Sequence, residues 1–143
     1  MNKMVSYDGI GYVAATFPVD STTKTYLLAN KVNAKTGNVD INDARLAVKL
    51  NSDGTVGFGA SSPTTADAVF GVIIAYEMDG YATVQTAGYV EGVPTAAAIN
   101  AGVKTLAVDD EGVVSSVSDT DSRAEVILPS AVGSLNATLL LGK

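Results

Sequence analysis

The chain has 143 residues, 9 Lys plus Arg against 15 Asp plus Glu, a net charge of −6, and no Cys, His or Trp. Those absences exclude, within one chain, a Ser-His-Asp or Cys-His nucleophile, a His general base, a thiolate or imidazole metal site, an iron–sulfur cluster and a disulfide framework. The acidic balance argues against a nucleic-acid surface, which needs a basic patch, and against binding to an anionic membrane.

Met1 to Asp8 lack the basic-then-apolar order of a secretory signal. No run approaches the roughly 20 apolar residues of a membrane span. Residues 1–23 hold Gly9, Gly11 and Pro18 without a sustained period of 2 or 3.6, and are expected to be an extended N-terminal arm with at most one short strand around Tyr12 to Phe17. Three aromatics in that arm, Tyr7, Tyr12 and Phe17, are the candidate contacts to another subunit; the competing expectation is that they fold back onto their own core. A β-rich domain then runs over 24–143. Thr25, Leu27 and Ala29 alternate with Tyr26, Leu28 and Asn30, predicting a strand, and Ala34 to Asn38 reads as a turn.

Arg45 to Leu50 predicts a strand with Leu46, Val48 and Leu50 on one side, followed by an Asp53-Gly54 turn and a return through Val56 and Phe58. Ala60 to Ala68 is expected to be a loop. Val69 to Met78, Asp79-Gly80 and Tyr81 to Glu91 form the strongest hairpin signal, with the first arm apolar on both faces and therefore central. Tyr81, Thr83 and Gln85 are expected on a wet face of the second arm. Gly92-Val93-Pro94 should break that strand, and Thr95 to Asn100 predicts one or two helical turns. Thr105 to Val108, the turn Asp109 to Gly112, and Val113 to Val117 predict a third hairpin. Ser118 to Ser122 is expected to be a loop, with strands over Arg123 to Leu128 and Leu135 to Leu141. Val, Thr and Ile number 19, 14 and 6, with 14 Gly, the profile of short strands joined by tight turns. The expected class is all-β: a small antiparallel β-barrel or sandwich built from hairpins, with one short helix and an extended arm.

Chemistry-bearing groups are few. Asp109-Asp110-Glu111, with Asp119 and Asp121 a loop away, could hold a cation, but lacks the Asp-x-Asp-x-Asp-Gly spacing of a calcium loop. Glu77 and Glu91 are the only carboxylates in strand-like surroundings, and they are read as wet-face residues rather than a glycosidase pair. Gly57-Phe58-Gly59 is not followed by the Lys or helix of a phosphate loop. Ser61, Ser62, Thr64 and Thr65 have no partner base. The expectation is a non-enzymatic protein with no cofactor and no metal.

Across Gly71 to Val114 the order of elements is a strand starting Gly71-Val72-Ile73, a hairpin at Asp79-Gly80, and a strand Val84 to Pro94. The small-residue stretch Ala97 to Gly102 follows, then Leu106-Ala107-Val108-Asp109 and Glu111-Gly112-Val113-Val114. This resembles the capsid decoration (head cement) proteins of tailed bacteriophages, and covers about a third of the chain. The resemblance implies a protein made in the host cytoplasm and carried on the outer surface of the virion capsid. It would bind the major capsid protein at three-fold or quasi-three-fold points as a homotrimer, and stabilise the shell against internal DNA pressure. It implies no catalytic residue. The alternatives are another virion structural protein (tail-tube, head-fibre or shell subunit) and a carbohydrate-binding β-sandwich module; the last needs a flat aromatic platform, and 9 aromatics without Trp supply it poorly.

Overall fold

The axis of the structure is a 14-residue strand, Tyr81–Pro94, dense in β-branched residues and bent where Gly88 and Gly92 take positive φ. This computed structural model describes residues 13–30, 45–76, 80–118, 124–128 and 135–142. In chain order the elements are β1 (Val13–Pro18), α1 (Ser21–Asn30), β2 (Ala47–Leu50), β3 (Val56–Gly57), a 3-10 turn (Thr65–Asp67), β4 (Gly71–Tyr76) and β5 (Tyr81–Pro94). After them come β6 (Gly102–Val108), β7 (Val114–Ser118), β8 (Ala124–Leu128) and β9 (Asn136–Leu141).

All strand pairings are antiparallel, as expected for an all-β chain of hairpins. The sheet order is β3-β2-β4-β5-β9-β8-β6-β7, with β1 added to β5. The first half of β5 therefore pairs with β4 and β1, and its second half with β9. Each half of the sheet curls until its ends touch through single bridges, Val19 to Val56 in one and Thr95 to Val114 in the other. Isolated bridges do not make a ladder, so the barrel stays open. The two halves are stitched by Ala47 N donating to Gly112 O, Gly59 N to Asp109 O, and the bridge of Ala68 to Ala107. One apolar core joins both halves, with Val48, Val56, Val72, Ile73, Val84, Leu106, Val114 and Leu139 almost fully enclosed.

Several expectations change. The strand predicted from Thr25 to Asn30 is the helix α1. Alternation along Thr25 to Asn30 fits period 2 on paper, but the buried residues are Thr23 and Leu27, one helical turn apart on one face, while Thr25 is exposed. Asp20 caps this helix by accepting from Thr23 N at 2.8 Å. The arm boundary drawn at residue 23 falls inside α1. Thr95 to Asn100 is not helical: Thr95 bridges Val114 and donates its N–H to Leu135 O, and Ala96 N donates to Val114 O, so the start of the segment continues the strand pairing of β5. Among the described residues the one α-helix is thus α1. The strand does not break at Gly92 either: β5 runs through Val93 to Pro94, its last residue, which is in register with Asn136. Gln85 is buried rather than wet, its amide donating to Ala87 O and Tyr89 O across the bend at Gly88. Leu50, expected on the same side as Leu46 and Val48, is exposed while those two are buried, because β2 has left the core by then. The predicted turn at Ala34 to Asn38 and the loop over Ser118 to Ser122 lie outside the described residues, apart from Ser118 at the end of β7.

Candidate functional site

Where β1 hands over to α1, a cleft of about 410 Å3 opens between three elements. The start of the helix supplies Asp20, Thr22, Thr23 and Tyr26, the end of β2 supplies Lys49 and Asn51, and the segment after β3 supplies Phe58 and Gly59. Asp110 closes it from the tip of the β6–β7 hairpin.

The walls are fixed by hydrogen bonds rather than by loops alone. Asp20 spends one carboxylate oxygen on the helix cap and takes Asn51 Nδ2 on the other at 3.0 Å. Asn51 Nδ2 also reaches Thr55 Oγ1 at 3.0 Å. The hydroxyl of Thr23, fully buried, accepts from Phe58 N at 2.8 Å, locking α1 to the strand beneath it. This lock requires glycine at 57, because a Cβ there would run into the Asp20 carboxylate and the Thr23 hydroxyl. Of the two glycines in Gly57-Phe58-Gly59, Gly57 therefore serves close packing of a helix on a strand, while Gly59 packs against Val108 and Asp67.

The aromatic corner is Tyr26 against Phe58, centroids 5.4 Å apart and planes at 79°. Burial raises the Tyr26 hydroxyl above the ordinary tyrosine value, and the negative charges of Glu111, Asp109 and Asp110 push it the same way. The acidic hairpin tip thus acts on the cleft.

Lys49 carries the cleft's positive charge and is tied from behind: its Nζ lies 2.9 Å from Asp67 Oδ1. Asp67 is buried, and its other oxygen accepts from Thr64 N in a capping box that starts the 3-10 turn. The hydrogen bond from Lys49 holds the Asp67 carboxyl below the ordinary carboxylate value, against a smaller opposing push from burial. A depressed folded-state value contributes stability above the unfolded value near 4, and that contribution is lost as pH falls through the lower folded value. Asp67→Asn should therefore lower stability by about 1–3 kcal/mol at neutral pH. It should also flatten the acid limb of a thermal-melt series from about pH 6 to pH 2.5, a window set by those carboxylate values.

Of the residues singled out from sequence, Asp110, Phe58 and Gly59 line the cleft, and the others fall elsewhere. Phe17 lies on β1, half-buried, edge-on to Phe70 at 5.3 Å and packed on its own core. Tyr7 and Tyr12 lie outside the described residues, as do Glu77, Asp119 and Asp121. Asp109 Oδ1 accepts from Glu111 N and Val113 N, so its carboxylate shapes the hairpin turn. Thr64 Oγ1 accepts from Ala66 N. Among the described residues no group of three or more Asp or Glu is placed to hold a metal ion, and no helix is long and apolar enough to cross a membrane. Sequence reasoning missed the cleft because it missed α1; the signal on offer was Asp20 followed three residues later by Thr23, a helix start embedded in β-forming threonines. No protein-family model, curated protein or solved structure matches this chain.

Proposed function

We propose that this protein is a non-enzymatic structural protein that decorates the outer surface of a tailed-bacteriophage head, binding the major capsid protein as a trimer and stabilising the shell. The observation that carries this reading is the outer edge of β1. Val19 N donates to Gly80 O at 2.9 Å, which sets the alternation along the ladder. Ala15 and Phe17 then turn their backbone groups toward β5, and Ala14, Thr16 and Pro18 turn theirs away. Among the described residues β1 has no second ladder partner, and its outer edge meets β3 only past Pro18, where Val19 bridges Val56 and Asp20 N donates to Val56 O. Its sequence, Val-Ala-Ala-Thr-Phe-Pro, carries none of the charges that usually blunt an open edge, and Val13 is 58% exposed. Pro18 sits where a strand proline is tolerated, with no donor to present outward. An uncharged open edge suits strand addition to a neighbouring subunit, in which backbone hydrogen bonds supply the affinity.

Further support comes from the stretch that resembles head cement proteins, which spans β4 to β7. Its Gly88, Gly92, Gly102 and Gly112 all take positive φ, so the residues carrying the resemblance are ones that the backbone path demands.

The test is co-sedimentation of purified protein with heads assembled without it. The expected result is binding to expanded heads but not to unexpanded ones, with a raised head melting temperature. Thr16→Lys, a charge on the exposed edge that leaves the core untouched, should weaken binding with little change in the protein's own stability. Heads neither bound nor stabilised by the native protein would overturn the proposal, and self-assembly into tubes under the electron microscope would favour a tail protein.

A further inference from the structure

We infer that the cleft beside α1 is a receptor for an arginine side chain presented by a basic partner protein. Its volume, about 410 Å3, falls in the range of roughly 300–1,000 Å3 typical of small-ligand sites. Its chemistry is what selects the occupant. Two rings, Tyr26 and Phe58, line one side, and the carboxylates of Asp20 and Asp110 line the others. A guanidinium is planar, stacks on aromatic rings and donates in several directions to carboxylate oxygens, so this combination fits it better than it fits a compact ammonium. Lys49 does not oppose a cation here, because Asp67 at 2.9 Å balances its charge from behind. Asp109 and Glu111 lie near enough for their negative charges to act on the Tyr26 hydroxyl, and they add to the acidic surroundings of the cleft.

Other occupants fit less well. An anion would meet carboxylates, and the helix donor it could use, Thr23 N, is already taken by Asp20. A sugar ring asks for a flat aromatic platform, whereas these two rings stand edge to face at 79°. A second copy of this chain brings its own net charge of −6 toward an acidic cleft. A basic partner is the charge-complementary choice. The inference stands independently of the edge at β1, and its test involves no capsid.

The experiment is a titration of the isotopically labelled full chain with N-acetyl-arginine amide, followed by backbone amide shifts. The uncharged citrulline analogue, the lysine analogue and a disaccharide serve as comparison probes. Saturable shifts are expected at Thr22, Asn51, Gly59 and Asp110 with the arginine probe. Binding should weaken about two- to fivefold with lysine or on Tyr26→Ala, the size of an exposed cation–π contact. Asp110→Asn, at an exposed hairpin tip, should weaken binding without altering the fold, and added salt should weaken it in the native protein. Shifts equal for arginine and citrulline, shifts scattered over the acidic surface instead of the cleft, or saturation by the disaccharide alone would overturn the inference.

Discussion

Leu27→Ala should cost about 2–5 kcal/mol, the range for truncating an enclosed leucine. Leu27 is 1% exposed and belongs to the single core, while α1 is otherwise held by the Asp20 cap and by Thr23 accepting from Phe58 N. A ten-residue helix rich in threonine has little intrinsic stability in water, so its burial must hold it in place. Two neighbours sharpen the test. Leu28, 38% exposed, should tolerate alanine within about 0.5 kcal/mol. Thr25→Glu separates helix from strand directly: in a strand Thr25 would share the face of Thr23 and Leu27, and a charge there would be as damaging as the Leu27 change. In the helix Thr25 points to solvent, and the substitution should be nearly silent. Urea melts of the three variants would decide, and a damaging Thr25→Glu would contradict the helix.

What the sequence made legible follows from which signals are local. The turns at Asp53-Gly54 and Glu111-Gly112 need positive φ at one position, and Gly54 and Gly112 take it, so the β2–β3 and β6–β7 hairpins were readable from dipeptides. Alternation likewise marked β2, the apolar stretch Ala137 to Leu141 marked β9, and the doubly apolar run marked β4 as central. What stayed hidden depends on partners far away in the chain. Helix α1 is selected by Leu27 and by a threonine hydroxyl that meets Phe58, 35 residues on. Thr95 to Asn100 starts as an extension of β5 because Thr95 and Ala96 pair with Leu135 and Val114, 40 and 18 residues on. The buried Gln85 was unreadable because the carbonyls that satisfy it exist only where β5 bends at Gly88. The cleft inherits this blindness: Asp20, Asn51, Phe58 and Asp110 come from four segments, and no spacing in the sequence links them.

Gly59→Ala should be as damaging as the loss of a core side chain, although only one methyl group is added to a half-exposed residue. Gly59 N donates to Asp109 O at 3.0 Å, one of the bonds joining the two halves of the sheet. A Cβ at 59 would collide with the backbone carbonyl of Val108 and come within 2.8 Å of Asp67 Cβ. Neither obstacle is the loose end of a flexible side chain: Val108 is fully buried in β6, and Asp67 is held by Lys49 and by its capping box. Relief would require the segment after β3 to withdraw from the β6–β7 hairpin, breaking the Gly59–Asp109 bond and parting the cleft wall from the acidic tip. Overpacking of this kind costs about 1–3 kcal/mol or somewhat more, which corresponds to roughly 4 °C of thermal midpoint for each kcal/mol in a chain of this size. Gly54→Asn is the matching comparison. Gly54 also takes a special conformation, φ +86°, but a Cβ there meets open space, and asparagine adopts that region readily. A large drop for Gly59→Ala beside a small one for Gly54→Asn would place the constraint in the contact between the two halves. The reverse order would mean that turn geometry, rather than this seam, holds the sheet together.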